Sequence, residues 1–179
     1  MSGTRLLSLV NDVLELSRIE QQMFSLQRES VSVNSVVNSG IALLQPLALE
    51  RALQVEFIGA EHELHVKADR RAMDQVFTNL LSNAIKYNRA GGQATVIVEP
   101  LGTSKVQISI EDTGVGMSEA QVDQLFQPFN RVGAEKTQIE GTGLGLVIAR
   151  ELTQGMGGTI EVTSTPHTGS CFTIKLPLA

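Results

Sequence analysis

The sequence predicts an α+β protein in which helices cover one face of a β-sheet. Several segments repeat apolar residues at helical spacing, and several shorter segments alternate apolar and polar residues like strands. The two kinds of element follow one another without the regular alternation of a doubly wound sheet. We therefore expect a two-layer sandwich, with a mixed and mostly antiparallel sheet on about three helices, plus a further N-terminal helix.

Composition narrows the class of protein. The 179 residues carry a net charge of -5, and the acidic residues are dispersed rather than opposed by a clustered basic face, so we expect no nucleic-acid binding. Charged residues interrupt every apolar stretch well before the roughly 20 residues of a membrane helix, so we expect no membrane contact by this part. The single cysteine, Cys171, excludes an internal disulfide, suits a reducing compartment such as the cytoplasm, and most simply serves packing.

The first predicted element is a helix over residues 4–20. Much of one side is apolar and the opposite side is charged, and a lone helix of this length is marginal in water, so it needs a partner. Periodicity alone leaves two interpretations equally open: a helix packed on its own domain, or half of an inter-subunit bundle. The apolar positions are Leu6, Leu9, Val10, Val13, Leu14, Leu16 and Ile19.

The remaining elements are predicted from periodicity and capping residues. In chain order they are a strand at Val31 and Val33; a helix capped by Asn34 or Ser35, kinked at Pro46 and ending near Ala52; strands over 53–58 and 63–68; a helix capped by Asp69 and running through Tyr87; a hairpin of strands over 93–99 and 105–111; a short helix capped by Ser118 and ending at Phe126; a loop over 127–142; a helix over 143–155; and strands over 159–163 and 171–176.

One edge of the predicted helix from Asp69 to Tyr87 carries polar groups suited to a nucleotide. Asn79, Asn83, Lys86 and Tyr87 fall within a stripe about 100° wide. A carboxamide oxygen is a hard neutral ligand for Mg²⁺, a lysine supplies positive charge to a polyphosphate, and a tyrosine offers a flat face to a base. Each residue alone is more simply a solvated helix edge.

Two glycine motifs complete the candidate site. Asp112-Thr113-Gly114-Val115-Gly116 ends a strand, where the carboxylate can accept a hydrogen bond from an exocyclic amine and the glycines allow close backbone approach. Gly141-Thr142-Gly143-Leu144-Gly145-Leu146 leads into a helix, whose first N–H groups suit an anion. The second motif lacks the preceding strand of a dinucleotide fingerprint, and the chain has no Gly-x-x-x-x-Gly-Lys-Ser/Thr phosphate loop.

In this order the motifs resemble the histidine kinase branch of the GHKL ATPase superfamily. Residues 79–87 are similar to its asparagine box, 112–116 to its first glycine box, 125–129 to its phenylalanine box and 141–146 to its second glycine box. The resemblance implies a Bergerat-type fold for residues 29–179 and places residues 1–28 as part of the second helix of a dimerisation and phosphotransfer hairpin.

The resemblance also implies a role for each matching residue. Asn83 is expected to ligate Mg²⁺ on the ATP phosphates, with Asn79 and Lys86 beside them; Tyr87 is expected near the adenine, and Asp112 on its amine. Gly114 and Gly116 would shape the pocket, the residues 141–146 would border the phosphates, and Ser170 would add a polar contact beneath the adenine. Residues 130–142 would form an ATP lid, in which Arg131 is the candidate for the γ-phosphate.

The implied activity is phosphoryl transfer from ATP to a histidine upstream of residue 1, in a homodimeric kinase that passes the phosphoryl group to a response regulator. His62-Glu63-Leu64 only partly matches the family's histidine motif, because His65, Val66 and Lys67 follow, and we interpret it as a surface histidine. Two alternatives stay open: a GHKL-type ATPase, disfavoured because Asn79 stands where ATPases of this superfamily have a glutamate base, and a degenerate kinase scaffold.

Overall fold

The computed structural model describes residues 26–130 and 141–179, together with residues 10, 11, 13, 14 and 17. The five described residues of the predicted N-terminal helix are helical; the rest of residues 1–25 and the residues 131–140 lie outside the described part. The described elements are β1 (Glu29–Ser32), α1 (Val33–Glu50), β2 (Gln54–Ile58), β3 (His65–Ala68), α2 (Arg70–Lys86), β4 (Gln93–Leu101), β5 (Lys105–Asp112), α3 (Glu119–Val122), α4 (Gly145–Gly155), β6 (Thr159–Thr165) and β7 (Gly169–Pro177).

A five-stranded sheet forms one layer, in the order β2-β4-β5-β7-β6. Strand β2 pairs with β4 in parallel, and the other neighbours are antiparallel. Strands β1 and β3 form a separate antiparallel pair. The predicted two-layer α+β fold with a mixed, mostly antiparallel sheet is therefore confirmed.

The core lies between the sheet and helices α1, α2 and α4. Side chains alternate along the strands, so every second residue of β4, β5 and β7 faces the helices. Helices α1 and α2 approach closely at Gly40, where an added Cβ would lie 2.3 Å from a ring carbon of Phe77. The buried strand residues of this core are Ala94, Val96, Val98, Val106, Ile108, Ile110, Phe172, Ile174 and Leu176.

The start of α1 corrects the prediction. The helix begins at Val33, which was predicted in the strand, and its N-cap is Ser32 rather than Asn34 or Ser35. The Ser32 side chain accepts a hydrogen bond from the backbone N–H of Ser35 at 3.1 Å, which satisfies a donor in the first turn. The helix continues through Pro46 and ends at Glu50. Pro46 has no N–H to donate to the backbone carbonyl four residues earlier, but it lies on the exposed side of the helix, where water can solvate that carbonyl.

Two other predicted helices are shorter in the structure. Helix α3 begins after Ser118 as predicted but ends at Val122, and turns with three-residue spacing follow, such as Leu125 N to Val122 O at 3.1 Å. Helix α4 begins at Gly145 rather than Gly143, because Gly143 has a φ of +77° and cannot be part of a right-handed helix. In the part of the chain that the structure describes, no helix has the length and apolar character that a membrane crossing requires.

Candidate nucleotide-binding site

Asn79 joins the edge of α2 to the start of α4. Its Nδ2 donates a hydrogen bond to the carbonyl oxygen of Gly145 at 3.0 Å. A Cβ on Gly145 would contact the Asn79 amide at 3.6 Å, so the two helices meet closely there. The predicted asparagine edge and the predicted second glycine motif are therefore adjacent in the fold.

The residues 112–116, called here the first glycine segment, contact the C-terminal end of α2. The backbone N–H of Val115 donates to the carbonyl oxygen of Tyr87 at 3.2 Å. A Cβ on Gly114 would lie 2.5 Å from that same oxygen and 2.6 Å from Asp112 Oδ1. Gly114 is therefore required by close approach to other residues of the chain, while the close approach to a ligand that this motif indicates stays a prediction.

The same segment is also fixed to the β6–β7 turn. The backbone N–H of His167 donates to the Val115 carbonyl oxygen at 2.7 Å. Gly116 has a φ of +62°, and a Cβ there would lie 1.9 Å from the carbonyl oxygen of Thr165. The two glycines thus pack against different neighbours, and the segment is held from both sides.

Asp112 is a partly buried carboxylate at the end of β5. Its Oδ1 accepts a hydrogen bond from the backbone N–H of Gly114 at 2.8 Å. Burial raises the pKa of Asp112 above its ordinary value, while hydrogen bonds from the backbone N–H groups of Gly114 and Ser170 oppose that rise. A further hydrogen-bond donor would therefore stabilise the ionised form of this partly buried carboxylate.

The strand register places Asp112 in a row with two serines. Asp112 pairs with Ser170, and Ser170 pairs with Ser164 across β5, β7 and β6. The row continues the helix-facing positions of these strands, since Ile110 and Phe172, two residues away, are buried. A shallow, open depression of about 270 Å³, called here the strand-end cavity, lies at the ends of these three strands. Residues from both faces of the sheet border it, since Glu111, Cys171 and Thr163 pair with one another on the face opposite to Asp112, Ser170 and Ser164.

The other end of the site is built from α2 and α4. Asn83 and Lys86 are half-buried on α2, and the N–H groups at the start of α4 follow Gly143 and Leu144. Leu144 is fully buried and Leu146 packs against the core, so these two side chains hold the motif in place while its backbone borders the site. Thr142 Oγ1 accepts a hydrogen bond from the Leu144 N–H at 3.3 Å, and Gly141 has open space around its Cα.

The phenylalanine motif lies beside α4. Leu125 is buried, and the guanidinium carbon of Arg150 lies 5.1 Å from the centre of the Phe126 ring. Phe129 is 57% exposed and has a φ of +61°, and only Asn130 separates it from the residues 131–140. Arg131 and most of the predicted lid lie outside the described residues, so the role assigned to Arg131 stays a prediction.

Sequence reasoning missed several residues that position the site. Asn88 Nδ2 donates to the carbonyl oxygens of Ala84 and Gln93, and Thr113 Oγ1 accepts from the Gln93 N–H at 2.9 Å. Ser164 was not singled out at all. Thr113 lay inside a recognised motif, but Ser164 gave no signal because its importance depends on the pairing of β6 with β7.

The histidine and cysteine predictions can be compared with the structure. His62 and His65 are exposed, and His62 lies in the bend before β3 rather than on a helix, in keeping with a surface residue. Among the described residues, no three His, Cys, Asp or Glu side chains are grouped so that they could hold a metal. Cys171 is half-buried beside Thr173, and burial raises the pKa of its thiol.

Comparison with known proteins gives the class of this chain. Residues 68–179 match the family described as "Histidine kinase-, DNA gyrase B-, and HSP90-like ATPase". The chain is 36% identical over 177 residues to the histidine protein kinase DivJ of Caulobacter vibrioides, covering 99% of this chain and 30% of DivJ. It is 34% identical over 185 residues to the cell-division control histidine kinase PdhS of Brucella anthropi, covering 98% of this chain and 18% of PdhS.

Solved structures agree with this class. The crystal structure of full-length ShkA in complex with AMPPNP superposes with a TM-score of 0.87 at 29% identity, over 99% of this chain and 37% of that one. The chain therefore belongs to the histidine kinase-, DNA gyrase B- and HSP90-like ATPase family. Within that family it is a catalytic ATP-binding domain of the histidine kinase type, and it spans less than a third of the curated relatives named above.

Proposed function

We propose that this chain binds ATP with Mg²⁺ and positions the γ-phosphoryl group for transfer to a histidine of the protein to which it belongs. The observation that carries this proposal is Asn79, whose amide donates to the Gly145 carbonyl oxygen at 3.0 Å. An amide cannot take a proton from water, so this residue cannot serve as the general base that hydrolysis needs. The names of the relatives, both histidine kinases, support the histidine as nucleophile.

The adenine would lie beside Asp112 and Ser170, on the helix side of the sheet. We assign Asp112 as the acceptor for the adenine amine, with Gly114 and Gly116 shaping the pocket, Ser170 as a second polar contact and Tyr87 packed near the base. The burial of Asp112 supports this assignment. A carboxylate that is partly shielded from water is stabilised by a hydrogen-bond donor of the ligand. Recognition of the adenine amine would thus explain why a carboxylate is partly buried at this position.

The phosphates would lie between α2 and the start of α4. We assign Asn79 and Lys86 to the phosphate side and Asn83 as the magnesium ligand. The amide oxygen of Asn83 fits a metal that keeps several waters and takes its charge balance from phosphates, and the described residues hold no acidic cluster that would bind Mg²⁺ unaided. When bound, Mg²⁺ would supply positive charge that offsets the negative charge of the phosphates.

The residues of this chain would contribute positioning and electrostatic stabilisation. Phosphoryl transfer passes through a state with little covalent chemistry for the protein to perform, so holding the γ-phosphorus in line with the nucleophile is the main task. The backbone N–H groups from Gly141 to Leu146 would bind phosphate oxygens at the start of α4. Arg131 remains the candidate for the γ-phosphate.

We also propose that residues 1–28 contribute a helix to dimerisation and phosphotransfer, followed by the catalytic domain from residue 29. Val10, Val13 and Leu14 are 44%, 38% and 52% exposed, which leaves apolar side chains for a partner to cover. Residues 27 and 28 connect to the domain: Gln27 N donates to Asp69 Oδ2 at 2.9 Å, and Arg28 Nη2 donates to Gly155 O at 2.8 Å. The expected partners are a second copy, the phosphotransfer segment and a response regulator, in the cytoplasm.

Calorimetric titration of the 179-residue chain with ATP, with and without Mg²⁺, tests the proposal when phosphate release is followed in the same sample. We expect Mg²⁺-dependent binding and no sustained release of phosphate. Steady hydrolysis would favour the ATPase alternative instead. Absence of binding would overturn the proposal and favour a degenerate scaffold.

A further inference from the structure

Ser164 occupies a special place beside the strand-end cavity. It lies on the edge strand β6 and pairs with Ser170, which in turn pairs with Asp112. All three side chains face the helix side of the sheet. Ser164 thus stands behind Ser170, on the side away from Asp112.

The hydrogen bonds of Ser164 fix the direction of its proton. Its Oγ lies 3.0 Å from the carbonyl oxygen of Gly169. A carbonyl oxygen can only accept, so a proton between these two oxygens must come from Ser164. The backbone N–H of Met117 donates to the same Oγ at 2.8 Å. Ser164 has therefore used its one donor and one of its two acceptor sites.

The remaining acceptor site of Ser164 determines the orientation of the Ser170 hydroxyl. The two serine oxygens are 2.9 Å apart, within hydrogen-bond distance. Because the Ser164 proton is engaged by Gly169, the proton between the serines must belong to Ser170. Ser170 then presents lone pairs, and no proton, to the space beside its strand neighbour Asp112.

The helix side of the strand ends consequently offers hydrogen-bond acceptors from two neighbouring side chains. Asp112 contributes a carboxylate, and Ser170 contributes a hydroxyl oxygen whose proton points away. The amine of adenine carries two N–H donors, whereas guanine has a carbonyl oxygen at the same ring position. A pair of acceptors favours the amine and repels the carbonyl.

We propose that Ser164 is a positioning residue for base specificity, which receives the proton of Ser170 and so makes Ser170 an acceptor for the adenine amine. This inference rests on the proposed ATP-binding function. Ser164 also accepts a hydrogen bond from Met117, the residue directly after the first glycine segment, so its loss should lower the affinity for any nucleotide. The readout must therefore be the ratio of ATP to GTP affinity rather than ATP affinity alone.

The test measures the dissociation constants of Mg-ATP and Mg-GTP for the wild-type chain and for Ser164→Ala. We expect the preference for ATP to fall about tenfold in Ser164→Ala, because the freed Ser170 hydroxyl can turn and donate to the guanine carbonyl. Ser164→Thr, which keeps the hydroxyl, should restore most of the preference. Ser109→Ala is the matched control, because Ser109 lies on the opposite face of the sheet, with its hydroxyl 3.3 Å from that of Thr173.

A double-mutant cycle identifies the route through Ser170. If Ser164 acts through Ser170, then Ser164→Ala should change the ATP preference little when Ser170 is already alanine. Ser170→Ala alone should lower the preference by about the same factor as Ser164→Ala. This single variant also tests the proposal if Ser164→Ala unfolds, which thermal unfolding would detect.

Three outcomes separate the possibilities. A wild-type chain that binds no ATP would overturn the proposed function itself. A wild-type chain that prefers ATP, with equal losses for both nucleotides in Ser164→Ala, would assign Ser164 a purely structural role and overturn this inference alone. An unchanged preference in Ser170→Ala would overturn it as well.

Discussion

The two ends of the candidate site are built in different ways. At the strand end, Asp112, Ser170 and Ser164 come from three neighbouring strands, and backbone N–H groups of Gly114 and Met117 reach into the row. At the helix end, Asn79 and Asn83 lie on one helix, and a single hydrogen bond joins Asn79 to Gly145. In sequence, the second glycine motif of the helix end directly follows residues 131–140, which lie outside the described part.

This difference suits the two ends of the site to different parts of a nucleotide. The strand end has its donors and acceptors oriented by the fold before any ligand arrives, which suits recognition of a rigid base. The helix end offers neutral amides and backbone N–H groups, which suit a ligand that brings its own charge and metal. We therefore expect substitutions at the helix end to affect affinity most, and substitutions at the strand end to affect selectivity.

The largest expected effect is at the helix end, in Asn83→Ala. Loss of a residue behind a metal ligand already costs about 10- to 100-fold in metal affinity, so loss of the ligand itself should weaken Mg-ATP binding about 100-fold or more. Stability should change little, because alanine is the most favourable residue inside a helix. Calorimetry with Mg-ATP and thermal unfolding measure the two effects.

Asn38→Ala is the matched control for this variant, because Asn38 is an exposed asparagine on α1. It should bind Mg-ATP like the wild-type chain. If Asn83→Ala keeps wild-type affinity and the same dependence on Mg²⁺, the metal assignment is wrong.

A smaller effect is expected where the two ends meet, in Gly114→Ala. The new Cβ would lie 2.5 Å from the Tyr87 carbonyl oxygen and 2.6 Å from Asp112 Oδ1, so the first glycine segment must move away from α2. Overpacking of this kind costs about 1–3 kcal/mol of stability. We expect that loss in denaturant unfolding, and about a tenfold weaker binding of Mg-ATP because Asp112 shifts with the segment.

Gly59→Ala provides the control for adding a methyl group to a glycine. A Cβ there would lie 3.4 Å from the Phe57 ring, an ordinary contact. Its free energy of unfolding should stay within about 0.5 kcal/mol of the wild-type value. Equal stability of the two variants would mean that the segment yields easily, and that the strand end is less rigid than its contacts suggest.

The same contrast explains how much the sequence alone predicts. The helix end depends on local patterns: Asn79 and Asn83 are four residues apart on one helix, and the capping residue Asp69 was visible in the sequence. The strand end depends on register between strands far apart in the chain. Asp112 and Ser170 were recognised through a family resemblance, but Ser164 was not, because no local rule places residue 164 beside residue 170 and residue 112.

The errors at element boundaries have the same origin. Ser32 was not recognised as the cap of α1, because Val33 continues the apolar–polar alternation of β1. Only the backbone dihedral angles show that the strand ends and the helix begins there. Gly143 was included in the predicted helix because a glycine next to a helical pattern does not by itself mark its start. The structure shows a positive φ at Gly143, and an added Cβ would lie 2.9 Å from the backbone of Phe129, which no local pattern indicates. Local propensity therefore predicts the type of each element better than its exact ends.

The smallest expected effect is a pH dependence at the strand end. Burial raises the pKa of Asp112, and the ionised carboxylate accepts a stronger hydrogen bond from an amine than the protonated acid does. As the pH falls from 7 toward that raised pKa, Asp112 takes up a proton and loses an acceptor site, so ATP affinity should begin to fall at a higher pH than an ordinary aspartate would cause. We expect a loss of ATP affinity on acidification that exceeds the loss from phosphate protonation alone.

Two comparisons isolate this contribution. Mg-tripolyphosphate carries titrating phosphates but no base, so its affinity should lack the additional fall, and Asp112→Asn should remove that fall from the ATP curve. Stability should run in the opposite direction: the folded state with a raised pKa binds a proton more readily than the unfolded chain, so the contribution of Asp112 favours folding at low pH and is lost as the pH rises through that pKa. Asp112→Asn should therefore be at least as stable as the wild-type chain at pH 7. If the pH curves for the affinities of ATP and tripolyphosphate run parallel, Asp112 does not take part in base recognition.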